Sequence, residues 1–176
     1  MALDLKLSRL DQAAAFLQPS LRELHARAAR VGILLFVVFV WRSPAEQWRL
    51  FQQGRVLNRE TEEWEPVDPK KRTGIVTNAR PWEAPHCVTT LDGKPASVAT
   101  DFVPIDQKTG TLLWDAQESI WQRFYELASK VGLDPLGDKW GAYYEGDKGH
   151  VEEPGWRFKL AGLGLRLPEK MGVVSI

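Results

Sequence analysis

The run Val31-Gly32-Ile33-Leu34-Leu35-Phe36-Val37-Val38-Phe39-Val40-Trp41, followed at once by Arg42-Ser43-Pro44-Ala45-Glu46, decides how this chain folds. A membrane-spanning helix needs about 20 apolar residues, and this run is about half that length. Val, Ile and Phe dominate it, Gly32 stands ahead of it and Ser43-Pro44 closes it. That is the pattern of a strand buried within a soluble fold.

Working outward, Ser43-Pro44-Ala45-Glu46 carries the signals of a helix start: a Ser cap, Pro in the first turn, and Glu three residues after the cap. The helix should run through Trp48 and Phe51 and stop at Gly54. Upstream, Leu7, Leu10, Ala14 and Leu17 predict an amphipathic helix over residues 1–18, and Pro19-Ser20 opens a second helix through Leu21, Leu24 and Ala28 that Gly32 ends. Downstream, Arg55 to Pro85 reads as a long loop, Val98 to Ile105 as a strand, and Trp114 to Val131 as a helix closed by Gly132. His150 to Phe158 reads as a last strand, leading into a C-terminal tail within residues 153–176. Trp41, Trp48, Trp114 and Trp121 fall in apolar patterns and are expected in the core, whereas Trp82, Trp140 and Trp156 either line a cleft or lie in ordinary loops. The expectation is an α+β fold, a small mostly antiparallel sheet with packed helices, in a single domain over residues 1–176.

Composition narrows the function. The chain has 176 residues, 44% of them hydrophobic and 26% charged, as in ordinary globular domains. Lys plus Arg (23) balances Asp plus Glu (23), so nucleic acid is not expected as a partner. A monomer is expected. The lone Cys87 cannot form an internal disulfide and reads as a small packing residue. No basic head followed by an apolar core opens the sequence, which leads us to expect synthesis in the cytoplasm without a signal peptide.

Chemistry has few places to sit. Of the three histidines, His25 lies on a predicted helix with no acidic partner at useful spacing and reads as a surface residue. His86 stands in the long loop ahead of the strand holding Asp101, and His150 follows Asp147 by three positions. A catalytic zinc takes three His or carboxylate ligands and leaves a fourth position for water, and two His with one Asp supply such a set. A further carboxylate that is not a ligand, such as Asp147, can carry the proton. Such residues also occur together by chance, so spacing alone leaves a purely structural reading open.

The order of motifs adds a resemblance. Trp41-Arg42-Ser43-Pro44-Ala45-Glu46-Gln47 with Leu50 and Gln53-Gly54-Arg55 resembles the opening motif of the M15 peptidases, which are zinc D-Ala-D-Ala carboxypeptidases and L-alanyl-D-glutamate endopeptidases of phage endolysins. The likeness continues through Val76-Thr77-Asn78-Ala79, His86 and Val98-Ala99-Thr100-Asp101-Phe102 to Asp147-Lys148-Gly149-His150-Val151-Glu152. It implies an M15 fold and a zinc ion held by His86, Asp101 and His150. It further implies Asp147 as catalytic base and Arg42 near the site holding substrate, a role that suits the fork of a guanidinium. Glu152 either tethers His150 or is solvated.

Two departures stand out. Fifteen positions separate His86 from Asp101, more than the family spacing, and Thr89 to Ser97 reads as an insertion with a turn at Gly93 and Pro95 that should reshape the cleft rim. Ala84 stands where the family has Ser. The resemblance implies a peptidase of peptidoglycan stem peptides, an endolysin-like endopeptidase in preference to a D,D-carboxypeptidase, acting on the wall after release at phage lysis. The alternative is a degenerate, non-catalytic member that binds peptidoglycan or a protein partner.

Overall fold

A computed structural model describes residues 4–68, 74–139 and 147–170. The apolar run becomes the strand β1 (Leu35–Phe39), flanked by the helices α1 (Gln18–Arg30) and α2 (Pro44–Gln52). The α2 start is built as its residues dictate, with the Glu46 amide donating to Ser43 Oγ at 3.2 Å. Beyond it, β2 (Arg55–Asn58) and β3 (Glu63–Pro66) form a hairpin inside the stretch expected to be loop. Then come β4 (Thr89–Thr90), β5 (Ala99–Pro104), α3 (Glu118–Lys130), β6 (Asp134–Pro135), α4 (Leu136–Lys139), β7 (His150–Glu152), α5 (Trp156–Lys159) and β8 (Leu165–Arg166). Among the described residues no helix is long and apolar enough to cross a membrane.

The main sheet has the order β1-β5-β7-β6, and every pairing in it is antiparallel. The helices α1 and α3 cover one face. Leu21, Leu24 and Ala28 from α1 meet Trp121, Phe124 and Ala128 from α3 over Leu35, Val37, Phe102 and Val151, all at most 1% exposed. Burying one such large side chain contributes about 1.5–3 kcal/mol, so this face dictates register. Between Val37 and Phe39 the β1–β5 pairing shifts, an irregularity of the kind that bends a strand.

Several expectations are corrected. Residues 7–12 form a 3-10 turn and not the first part of a helix to residue 18. Ala13 is extended there, because the chain pairs with the segment before β5: Ala14 N donates to Ser97 O at 2.8 Å and Ser97 N to Gln12 O at 3.0 Å. The predicted last strand stops at Glu152, where Pro154-Gly155 turns the chain with Gly155 at φ 64°. The segment beyond that turn is packed and not a loose tail, since Trp156 and Leu165 join Ala14, Val88, Ala96 and Val98 in a second core. Trp114 is 56% exposed and precedes α3, so it is not a core residue. Trp121 is buried, and Trp41 and Trp48 are half-buried. The insertion does form the expected turn, with Gly93 at φ 84°. However, β4 pairs with β8, and none of residues 89–97 lines the main cleft.

Gly149 marks the tightest approach in the sheet. A Cβ there would lie 1.8 Å from the carbonyl oxygen of Phe102, and Phe102 N donates to Gly149 O at 3.0 Å. Neither backbone can yield without opening β5 from β7. Gly149→Ala is therefore expected to cost at least about 3 kcal/mol, a fall in Tm of about 6–12 °C, read by thermal unfolding.

Candidate metal centre

Asp101 and His150 are direct partners in the β5–β7 register, and Glu152 stands opposite Ala99. Alternation along a strand puts i and i+2 on one face, so Asp101, His150 and Glu152 share the face opposite Phe102 and Val151. His86 arrives from outside the sheet, on a 3-10 turn over Pro85–Cys87. Backbone bonds fix that turn: Val98 N donates to Pro85 O at 3.2 Å and Arg42 N to His86 O at 3.0 Å.

The three side chains converge. Asp101 Oδ1 lies 2.9 Å from His150 Nδ1 and 3.2 Å from His86 Nε2, and the two ring nitrogens are 3.3 Å apart. One ligand atom from each residue falls within 4.8 Å of the others. The far side of each ring is also engaged. His86 Nδ1 is 2.6 Å from Val40 O, and His150 Nε2 is 3.2 Å from Glu152 Oε2. Acceptors at those positions favour protons on the outer nitrogens, which turns two lone pairs and a carboxylate oxygen toward a common point. Such a set fits a cation. Zinc accepts these donor types and, with three of them, keeps an open position.

The electrostatics agree. Burial opposes charge on His150, yet hydrogen bonds to Asp101 and Glu152 raise its pKa to about 10. Burial would likewise raise Asp101, but His86 and His150 hold its carboxyl well below the usual range.

Asp147 sits at the edge, its side chain 45% exposed and its Oδ1 4.0 Å from His150 Nδ1. Loss of water around it and the negative charge of Asp101 raise its pKa, against the pull of His150, His86 and Arg42. Arg42 lies behind the centre. Its Nη2 donates to Asp101 Oδ2 at 2.7 Å, its Nη1 to Gln47 Oε1 at 3.2 Å, and its guanidinium covers the Phe39 ring at 4.2 Å. All five predicted residues line one cleft of about 490 Å³.

Gln47 is a buried neighbour of the centre to which the sequence reading gave no role. It is 1% exposed, and its amide nitrogen donates to Ala79 O at 2.9 Å and Thr77 Oγ1 at 3.2 Å, tying the 77–79 segment to Arg42. Two signals were available: its place at the end of the Trp41-to-Gln47 motif, and its being a polar residue one turn from Phe51 on the buried face of α2. Of the alternatives for Glu152, the tether to His150 is the one realised. His25 lies apart on α1, with Nε2 3.1 Å from Leu35 O and its pKa lowered by burial. Cys87 is fully buried, and burial pushes its thiol up to about 12. It shares the tight turn of His86 and does not sit on an extended chain. Trp156 lines the cleft, whereas Trp82 packs on Trp48 with ring centroids 5.5 Å apart. Trp140 lies outside the described residues.

No protein-family model matches the chain, and no curated protein matches it by sequence. A solved structure does match. The chain is similar to the vancomycin resistance D,D-pentapeptidase VanY from a VanB-type resistance cassette, a mutant in complex with Zn(II), with a TM-score of 0.52 and 15% identity over 82% of this chain and 74% of that one. The likeness bears out the expected α+β fold with its small antiparallel sheet and packed helices, and at that identity it speaks for the fold alone.

Glu152→Gln removes the charge that fixes the His150 ring and leaves its volume. Zinc affinity, measured by competition with a chelator, is expected to fall about 10–100-fold, and thermal stability without metal is expected to fall as well, because His150 loses a charged partner that raises its pKa.

Proposed function

We propose that this chain is a zinc-dependent peptidase that hydrolyses a bond in the stem peptides of bacterial peptidoglycan, with L-alanyl-D-glutamate endopeptidase activity preferred over D,D-carboxypeptidase activity. The observation that carries the proposal is the convergence of His86, Asp101 and His150 within 4.8 Å beside a carboxyl group with a raised pKa. The likeness in fold to a zinc-bound D,D-pentapeptidase supports it.

The chemistry a bound zinc supplies is Lewis acidity, which polarises the scissile carbonyl and brings the pKa of water near neutrality. His86, Asp101 and His150 would hold it, with Val40 O and Glu152 keeping the two rings in the ligating tautomer. Asp147 takes the proton from the attacking water and returns it to the leaving amine, and its raised pKa suits a group that must do both. Arg42 and Gln47 brace Asp101 from behind, so that Oδ1 stays aimed at the donor centre. The preference for an internal bond rests on the resemblance of the motifs to those of endolysin endopeptidases, and the cleft, at about 490 Å³, has room for a peptide. A degenerate binding protein would be favoured by a broken ligand set, and the set here is whole.

The test is mass spectrometry of purified peptidoglycan after incubation with zinc-loaded protein. New termini are expected, and their identity names the bond. His150→Ala should lose both zinc and turnover. Asp147→Asn should keep zinc and lose about 10²–10⁴-fold in rate. Full activity in Asp147→Asn would remove that residue from the mechanism, and intact peptidoglycan with zinc-loaded wild type would sink the reading.

A further inference from the structure

The cleft is acidic. Among the described residues Glu83, Asp101, Asp147 and Glu152 line it, against two arginines, Arg42 and Arg157. A peptide bearing carboxylates meets repulsion there unless a cation receives it. Arg42 is poorly placed to do so. Its side chain is only 11% exposed, and both Nη atoms are committed to Asp101 and Gln47. The other cation is differently placed.

Arg157 is exposed on α5 at the cleft wall. The positive φ of Gly155 turns the chain so that Trp156 enters the second core, and Arg157 folds back with its guanidinium 4.6 Å from the Trp156 ring centroid. Its Nη2 donates to Glu83 O at 3.0 Å, which bridges the cleft from α5 to the turn that precedes His86. One contact to a backbone carbonyl leaves most of the five N–H donors of a guanidinium for a ligand. A planar fork held by stacking and by one hydrogen bond is preorganised for bidentate capture of a carboxylate. Lys could not reproduce it.

We propose that Arg157 is the substrate-carboxylate receptor of this cleft, binding a free carboxylate of the stem peptide and so setting which stems are accepted. The assignment rests on the peptidoglycan reading above. In a stem with lysine at its third position, the kind used in the test, two such carboxylates exist: the α-carboxylate of a γ-linked D-Glu and the C-terminal carboxylate.

The test measures equilibrium binding of synthetic stem pentapeptides by calorimetry to zinc-loaded Asp147→Asn protein, with and without Arg157→Ala. Three peptides are used: the parent, one amidated at the D-Glu α-carboxylate, and one amidated at the C-terminus. Arg157→Ala is expected to weaken the parent about 10–100-fold, the range for a hydrogen-bonded charged pair. It should leave unchanged the one amide whose missing carboxylate Arg157 would have bound, which names the source. Arg157→Lys should recover only part of the loss. A merely structural role for Arg157 would weaken all three peptides equally, and that outcome overturns the proposal, as does unchanged binding of the parent. If no stem peptide binds even with Arg157 present, the peptidoglycan reading fails and the assignment fails with it.

Discussion

The pairing of Asp101 with His150 across β5 and β7 is the constraint on which the rest depends. A lone carboxylate on an interior strand is costly to desolvate, and here two histidines and Arg42 surround it. The register that aligns them is not set by those polar groups. It is set on the other face, where Phe102 and Val151 are fully buried under α1 and α3. A slip of one residue would expose that apolar pair and turn Asp101 and His150 into the core. Hydrophobic burial on one side of a thin sheet thus enforces polar geometry on the other, with Gly149 allowing the two strands to approach closely enough.

His86 joins from a different part of the molecule, and its placement needs a second set of forces. The turn that carries it is pinned by backbone bonds to Arg42 and Val98 and packed beside Val88, part of the second core under Trp156 and Leu165. This explains why fifteen positions between His86 and Asp101 do no harm. The extra chain leaves as β4, pairs with β8, and returns through Ala96, which is buried in that same core. Both ends of the excursion are clamped, so its length is taken up away from the donors, at the modest entropic cost of a longer loop.

Much of this was legible where local chemistry decides the outcome. Ser43 capping α2, the apolar run of β1, and Trp121, Phe124 and Ala128 on one side of α3 are statements about neighbours in sequence. The residues that misled are those whose fate lies in distant contacts. Ala13 has helical neighbours but pairs with Ser97, and Leu165 reads as tail but finds β4. The site divides in the same way. Its five expected residues converge on one cleft and lie in the quoted motifs, whereas Gln47, although it stands in the same motif as Arg42, gives no sign of its contacts. Its importance lies in reaching Arg42, Thr77 and Ala79 at once, and nothing in its sequence neighbourhood announces that.

The charge pattern of the cleft links metal centre and substrate. Acidic groups outnumber arginines among its lining residues. In the proposed reading each has a reason to be there: Asp101 as a donor, Glu152 to orient a ring, Asp147 to carry a proton, and Glu83 to stabilise its turn through the Arg80 amide. That arrangement suits the metal and repels the substrate. A divalent cation would balance the excess of carboxylates over arginines among the described lining residues, but it would do so at the scissile bond and not along the whole peptide. Recognition of an anionic stem then requires positive charge displaced from the centre, and Arg42 is already absorbed by Asp101. An exposed arginine fixed on a buried tryptophan meets the requirement without disturbing the donors. In the proposed reading the two arginines divide the work by burial: the inner one holds the donor geometry, and the outer one selects what enters.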